Sequence, residues 1–225
     1  MATVVITGAN RGMGLEFVKQ YLAKGDKVIA LCRNTSDELS QTSAKVIDKV
    51  DVGSPECLQK ILPVLSDLKI DLLINNAGYG RWGQFGEFTR GDYAAMIQLN
   101  VTSLTDLCHL FMPAMVAKGE GGVINIGSSA ATAGFPSGSV YCASKFALRG
   151  LTECWRHELR RENIRVMLIN PSEVTTAFNN KKRLERDNEP KKLTPDEIAH
   201  AIVSAIRMDD RGFIPELNVW ATNPF

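Results

Sequence analysis

A tyrosine and a lysine four residues apart are the clearest candidates for chemistry in this sequence. Tyr141 and Lys145 lie in the stretch V-Y-C-A-S-K-F, and apolar residues recur around them at helical spacing, which predicts one shared helix face. An ammonium group beside a phenol favours the phenolate, so the pair predicts a tyrosine pKa below its free value of about 10. Such a tyrosine could donate or accept a proton near neutral pH. The alternative is an ordinary aromatic residue with an exposed lysine one turn away.

A glycine-rich turn near the N-terminus predicts an anion-binding site. The β-branched run Val4 to Thr7 predicts a buried strand, and T-G-A-N-R-G-M-G leads from it into the amphipathic stretch Leu15 to Ala23. Glycines allow the backbone to approach a pyrophosphate, and the free N–H groups of a helix N-terminus favour negative charge. The spacing is G-x-x-x-G-x-G and not the commoner G-x-G-x-x-G, so a purely structural turn is the alternative.

Strands and helices alternate along the chain. Besides the first strand, apolar runs predict strands at Lys27 to Leu31, Ala44 to Val52, Ile70 to Ile74, Gly122 to Ile126, Ile164 to Ile169 and Phe213 to Trp220. Helices are predicted at residues 15–23, 54–68, 92–117, 140–161 and 194–207. This alternation predicts an α/β fold with a doubly wound parallel β-sheet and helices on both faces. No linker or repeat interrupts the pattern, so residues 1–225 are expected to form a single domain.

Polar residues follow several predicted strands, where open α/β sheets bind ligands. Asn75-Asn76-Ala77-Gly78 follows the fourth strand, and Gly127-Ser128-Ser129 follows the fifth. Asn100 lies inside the predicted helix 92–117, a position that disfavours asparagine; a polar residue on the helix surface is the alternative. Pro215 interrupts the last strand, which predicts an edge or bent position.

The composition argues against several other classes of protein. An apolar content of 44% and a formal net charge of +1 give no basic patch of the kind expected for a nucleic-acid partner. No apolar run reaches the ~20 residues of a membrane span, and the N-terminal M-A-T-V-V-I-T-G is typical of a first strand, not of a signal peptide. The five cysteines form no C-x-x-C pair; they suggest a cytoplasmic protein and give no reason to predict a metal site.

Four motifs together resemble those of the short-chain dehydrogenase/reductase family. They are T-G-A-N-R-G-M-G at the front, N-N-A-G after the fourth strand, S-S after the fifth, and Y-C-A-S-K thirteen residues beyond Ser128. The resemblance extends from Thr3 to about Phe178. It implies a Rossmann-type dinucleotide-binding catalytic domain and an NADP(H)-dependent oxidoreductase that interconverts a carbonyl and a secondary alcohol by hydride transfer.

The resemblance also implies roles for individual residues. Asn100, Ser128, Tyr141 and Lys145 match the family's catalytic tetrad, with Ser128 preferred to Ser129 because the family's serine lies thirteen residues before the tyrosine. In the family, the tyrosine transfers the proton, the serine hydrogen-bonds the oxyanion, the lysine lowers the phenol's pKa and holds the ribose, and the asparagine holds a water. Besides Tyr141 and Lys145, the residues implied in cofactor binding are Gly8, Asn10, Arg11, Gly12, Met13, Gly14, Arg33, Asp51, Val52, Asn76, Ala77, Gly78, Pro171, Val174 and Thr176.

One motif departs from the family pattern. After the sixth strand the family usually has P-G-x-V-x-T, whereas this chain has P-S-E-V-T-T, with Ser172 in place of the glycine. Val174 and Thr176 still match positions that contact the nicotinamide amide. Glu173 is either a substrate contact or a solvated loop acid.

The end of the second strand predicts NADP(H) as the cofactor. An acid there would bind the ribose of NAD and repel the 2′-phosphate of NADP, but Cys32 takes this position. Arg33 follows with a planar set of donors suited to a phosphate, and Arg11 in the glycine turn could approach the same phosphate. The alternative is that both arginines are solvated surface charges.

The expected substrate is a small-molecule carbonyl or alcohol: a ketone, an aldehyde or a 3-oxoacyl thioester. Residues 177–193 are polar and carry six basic residues against three acids, and they are expected to form a mobile lid over it. The basic residues could favour acidic thioesters or simply be solvated. A catalytically weak NADP(H)-sensing regulatory protein on the same fold is the alternative function.

Apolar residues on more than one face of the helices 92–117 and 140–161 predict a homodimer or homotetramer. They are Leu104, Leu107, Phe111, Met112, Leu151 and Trp155. The alternative is a pair of deeply buried core helices.

Overall fold

Seven parallel strands form one sheet. The computed structural model describes residues 1–66, 68–179, 186–208 and 211–223. The strands are β1 (Thr3–Thr7), β2 (Lys27–Leu31), β3 (Lys45–Ile47), β4 (Leu72–Asn75), β5 (Gly121–Ile126), β6 (Ile164–Pro171) and β7 (Glu216–Val219). Their order is β3-β2-β1-β4-β5-β6-β7, so the winding of the sheet changes direction between β1 and β4. The predicted parallel sheet is confirmed, and β7, which begins just after Pro215, lies at its edge as predicted.

Helices cover both faces of the sheet. They are α1 (Gly12–Ala23), α2 (Asp37–Ser40), α3 (Pro55–Ser66), α4 (Arg90–Ile97), α5 (Ser103–Lys118), α6 (Ser139–Leu159) and α7 (Pro195–Ile206). Phe17 of α1 and Ile202 of α7 join the core on one face, and Leu65 of α3 and Phe111 of α5 join the core on the other. The doubly wound α/β fold is therefore confirmed. Within the described residues, no helix is long and apolar enough to cross a membrane.

The third strand is shorter than the apolar alternation predicts. β3 ends at Ile47 and does not continue to Val52. Lys49 has a left-handed backbone with a φ of 57°, which ends the extended conformation, and the Val50 N–H then donates to the Cys32 carbonyl at 2.9 Å. Asp51 and Val52 consequently lie beside the end of β2 but outside any strand.

A π-helical turn divides the long helix predicted over residues 92–117. The turn Gln98–Thr102 connects α4 to α5, and turns of this kind are frequent at functional sites. Asn100 lies within it and is buried, with 1% exposure. The alternative of a polar residue on the helix surface is therefore wrong.

Three of the six apolar residues that suggested self-association are buried within this chain. Leu104, Leu107 and Phe111 are all buried and belong to the core around the sheet. These three residues therefore give no support for an interface with a second copy.

Candidate active site

A cavity of about 670 Å³ opens at the carboxyl ends of β1 and β4, the place where open α/β sheets bind ligands. Every residue assigned above to cofactor binding lines this cavity, and so do Ser128, Tyr141 and Lys145. Asn100 lies behind its wall, against Gly78. The motifs identified in the sequence therefore converge on one site.

The glycine turn has the geometry of a pyrophosphate site. Gly8 has a φ of 65°, and a Cβ there would lie 3.0 Å from the Ala77 Cα. A Cβ on Gly14 would lie only 2.2 Å from the Gly8 carbonyl oxygen. Arg11 is the N-cap residue of α1, and its side chain does not cap the helix. Because the N–H groups and the dipole of a helix N-terminus favour an anion, the turn fits a dinucleotide.

The residues at the end of β2 fit an adenosine that carries a 2′-phosphate. Cys32 is buried, and burial raises the pKa of its thiol, so this position carries no charge at neutral pH. Arg33 lines the cavity, and its guanidinium lies 3.9 Å from the Asp51 carboxylate. Arg33 is therefore part of the cavity wall and not only a solvated surface charge.

Tyr141 and Lys145 lie on one face of α6, and both are buried, with 6% exposure each. The Lys145 ammonium lies 5.7 Å from the centre of the Tyr141 ring and donates a 2.7 Å hydrogen bond to the Ile126 carbonyl. Burial lowers the pKa of Lys145 to about 8. The structure thus brings the phenol and the ammonium together as predicted, and the alternative of an exposed lysine is wrong.

The pKa of Tyr141 moves in the direction opposite to the prediction. Burial raises the pKa of the phenol to about 12, and a hydrogen bond with Ser128 opposes the rise. The predicted net lowering is wrong for this arrangement, because burial penalises the phenolate and is the largest influence on the pKa of this phenol. Tyr141 therefore keeps its proton at neutral pH, which is the form that a general acid needs.

Ser128 lies just beyond the end of β5, within hydrogen-bonding reach of Tyr141. Its N–H donates to the Asn170 Oδ1 at 3.2 Å, and its Oγ accepts from the Ala130 N–H at 3.2 Å. Ser129 lines the same cavity, but the contact with the phenol is made by Ser128. This geometry supports the choice of Ser128 over Ser129.

Asn100 anchors the loop that follows β4. Its Nδ2 donates to the Tyr79 carbonyl at 2.9 Å and to the Ser144 Oγ at 3.0 Å, and its Oδ1 accepts from the Tyr79 N–H at 3.0 Å. Ser144 precedes Lys145 on α6, so one buried side chain connects the π-helical turn, the loop and the helix that bears the lysine. The role of Asn100 in holding a water stays a prediction.

Three aromatic residues that the motifs did not identify also line the cavity: Trp82, Phe135 and Phe178. They come from two loops and from the short 3₁₀ turn Ala177–Asn179, so no spacing along the chain brings them together. A tryptophan inside the glycine-rich stretch 79–86 is the signal that could have indicated Trp82.

Ser172, which replaces the family's glycine, connects the ends of β6 and β7. Its N–H donates to the Val219 carbonyl at 2.9 Å, and its Oγ accepts from the Ala221 N–H at 3.3 Å. Val174 and Thr176 still line the cavity. The departure from the family pattern therefore leaves both residues in place.

The predicted lid is described only at its two flanks. Its Lys181, Lys182, Arg183 and Glu185 lie outside the described residues. At the flanks, Arg186 and Lys192 each pair with both Glu173 and Glu189, at distances from 2.5 to 3.0 Å. Arg186 and Lys192 therefore add no uncompensated positive charge, and Glu173 belongs to an ion network instead of being only a solvated acid.

Comparisons with known proteins agree with this geometry. The family model described as short chain dehydrogenase matches residues 2–187. The ketoacyl reductase HetN of Nostoc sp. is 29% identical over 216 residues, covering 91% of this chain and 75% of that protein. A serine dehydrogenase complexed with NADP+ has a TM-score of 0.84 and 26% identity, covering 96% of this chain and 94% of that one. A short-chain dehydrogenase from Sphingobium yanoikuyae in complex with NADPH has a TM-score of 0.83 and 26% identity, covering 99% of this chain and 88% of that one.

The two solved structures contain NADP+ and NADPH, the cofactor that the end of the second strand predicts. The family match spans most of the chain, from the glycine turn through the tyrosine and the lysine to the segment after β6. This protein belongs to the short-chain dehydrogenase/reductase family.

Proposed function

We propose that this protein is an NADP(H)-dependent oxidoreductase that interconverts a carbonyl group and a secondary alcohol by hydride transfer. The observation that carries the proposal is the buried pair Tyr141 and Lys145 in a cavity that is also lined by the glycine turn and Arg33. Carbonyl reduction needs a proton donor and a hydrogen-bond donor for the oxyanion beside the cofactor. The relatives solved with NADP+ and NADPH support the same cofactor here.

The cofactor would lie along the cavity. Its pyrophosphate fits the glycine turn, and its 2′-phosphate fits the end of β2, where Arg33 and Arg11 would bind it. When bound, NADPH supplies the hydride. The residues that would hold the adenine and the nicotinamide half are Asp51, Val52, Asn76, Ala77, Gly78, Pro171, Val174 and Thr176.

Tyr141 would protonate the carbonyl oxygen as negative charge develops on it. With a pKa of about 12, the phenol carries its proton at neutral pH, which is the form that can donate to a carbonyl oxygen. Ser128 would donate a hydrogen bond to the same oxygen. Lys145 keeps a positive charge 5.7 Å from the ring centre, and so stabilises the phenolate that remains after the proton has moved.

NADPH oxidation with a panel of ketones, aldehydes and 3-oxoacyl thioesters tests the proposal. We expect turnover with at least one of these classes. The likeness to a ketoacyl reductase supports the thioesters, and the aromatic side chains in the cavity support free carbonyl compounds. A protein that binds NADPH and reduces none of them would instead act as a sensor of the cofactor.

Self-association as a homodimer or homotetramer is also part of the proposal, as is a cytoplasmic location. Tyr93 on α4 and Phe146 on α6 are 44% and 45% exposed, and α4 packs against α6, which supports a face for a second copy. Light scattering at micromolar concentration tests the assembly: a monomer of 24.7 kDa would contradict it.

A further inference from the structure

Aromatic rings surround Tyr141 at the reactive part of the cavity. The ring centres of Trp82 and Phe178 lie 5.3 and 5.9 Å from that of Tyr141, and 6.3 Å from each other. Phe135 lies 6.4 Å from Trp82 at an interplanar angle of 27°. Trp82, Phe135 and Phe178 thus form an aromatic wall beside the Tyr141 hydroxyl. When a carbonyl oxygen accepts a hydrogen bond from that hydroxyl, the substituents of the carbonyl carbon lie within reach of this aromatic wall.

Two glycines make room for these rings. A Cβ on Gly80 would lie 2.2 Å from the Trp82 indole, and a Cβ on Gly138 would lie 2.4 Å from the Phe135 ring. Because real Cβ atoms do not approach other atoms so closely, a larger residue at either position would displace the aromatic side chain. The positions of Trp82 and Phe135 thus depend on the backbone beneath them.

Hydrogen bonds on both sides of Trp82 hold its loop. On one side, Asn100 binds both backbone polar groups of Tyr79. On the other side, the Gly83 N–H donates to the Ser137 carbonyl at 2.9 Å, which ties the loop to the turn before α6. The indole is therefore positioned by the same asparagine that connects to the helix of Tyr141 and Lys145.

The aromatic wall adds no charge to the cavity. Apart from the residues assigned to the cofactor or to catalysis, the charged residues lining the described part of the cavity are Glu173 and Arg186. They bond to each other at 3.0 Å. An anionic substrate would have to compete with Glu173 for Arg186, whereas an uncharged one would not.

We propose that Trp82 is the specificity-determining residue of this reductase and selects carbonyl compounds with a flat, uncharged substituent, such as aryl ketones and aryl aldehydes. This inference rests on the proposed function. A planar substituent can stack on the indole while its carbonyl oxygen meets the Tyr141 hydroxyl, and aromatic pairs gain affinity beyond the area they bury. Phe135, at 39% exposure, lies 6.4 Å from Trp82 and would have to move aside for a substrate to stack on that face of the indole.

Acetophenone and cyclohexyl methyl ketone test the proposal, because they have similar size and differ in the flatness of the ring. The ratio of their kcat/KM values is compared in wild type, in Trp82→Leu and in the control Phe85→Leu. Phe85 lies on the same loop and is fully exposed. We expect the ratio to fall about threefold to tenfold in Trp82→Leu, mainly through the KM of acetophenone, and to stay unchanged in the control.

A binding measurement separates this inference from the proposed function. Saturation-transfer NMR of the acetophenone ring protons, with NADP+ present, should give a signal in wild type that Trp82→Leu loses and Phe85→Leu keeps. If no variant reduces a ketone but this signal pattern holds, the reductase function fails and the aromatic recognition stands. If ketones are reduced but the kcat/KM ratio and the NMR signal are the same in wild type and Trp82→Leu, the role of Trp82 is wrong and the reductase function stands.

Discussion

Replacing Lys145 with methionine should change how the stability of the protein depends on pH. The ammonium is buried, at 6% exposure, and burial lowers its pKa from 10.5 to about 8. The unfolded chain therefore holds this proton more tightly than the folded protein does. As a result, the charged lysine destabilises the fold at neutral pH, and its contribution becomes more favourable as the pH rises from about 8 to 10.5.

Two contributions set the size of the effect. The lower pKa corresponds to a destabilisation of about 3 kcal/mol at neutral pH. Methionine removes this charge but also removes the 2.7 Å hydrogen bond to the Ile126 carbonyl, and a buried carbonyl without a partner costs about 1–3 kcal/mol. The two effects nearly offset at neutral pH. Because the lost hydrogen bond does not titrate, wild type should gain about 2.5 kcal/mol relative to Lys145→Met between pH 7 and pH 10.

Urea unfolding of the cofactor-free proteins across this pH range measures the difference. Lys60→Met is the matched control, since Lys60 is exposed on α3, and it should follow wild type at every pH. If the difference in unfolding free energy between wild type and Lys145→Met stays constant from neutral to alkaline pH, the reasoning is refuted, because the ammonium is then not desolvated beside Tyr141.

Three other substitutions test the remaining parts of the site. Gly14→Ala places a Cβ 2.2 Å from the Gly8 carbonyl oxygen. It should therefore lower the free energy of unfolding by about 1–3 kcal/mol and weaken NADPH binding in a fluorescence titration. The control Gly150→Ala, with open space around it, should do neither. In kcat/KM, wild type should prefer NADPH to NADH by well over about tenfold, and Arg33→Ala should lose much of that preference while keeping activity with NADH; equal use of both cofactors by wild type would contradict the assignment. Partial burial acts to raise the pKa of Glu173, but hydrogen bonds from Lys192 and Arg186 lower it, and the net pKa is lowered. The ionised carboxylate therefore stabilises the fold above its ordinary pKa of 4.5, and this stabilisation is lost as the pH falls through the lowered value. Glu173→Gln should therefore unfold at a lower temperature than wild type at neutral pH, by less than about 1 kcal/mol in stability, and the two should converge in acid; a difference that persists in acid would contradict the ion network.

The fold and the cofactor-binding wall could be predicted because both depend on local patterns. The glycine turn lies between a strand and a helix, and the Thr194 capping box begins α7 where the sequence places it. Parallel strands end at the same edge of a sheet, so polar residues after β4, β5 and β6 had to meet there. All residues assigned to cofactor binding line one cavity for this reason.

Other features depend on contacts that no short pattern contains. The π-helical turn around Asn100 leaves the apolar periodicity of the helices on either side unchanged, so the sequence shows one long helix. The direction in which the Tyr141 pKa moves follows from burial of the phenol, and the four-residue spacing to Lys145 does not show that burial. Trp82 meets Tyr141 only because the loop after β4 folds against α6.

Tyr141→Phe tests the central claim most directly, namely that this phenol supplies the proton for carbonyl reduction at a site that binds NADPH. The substitution removes only the hydroxyl and leaves an aromatic ring to pack against Trp82. The measurement is NADPH affinity by titration together with steady-state turnover of the best carbonyl substrate. We predict unchanged NADPH affinity and turnover that falls about 10²–10⁴-fold. Turnover near the wild-type rate would contradict the account.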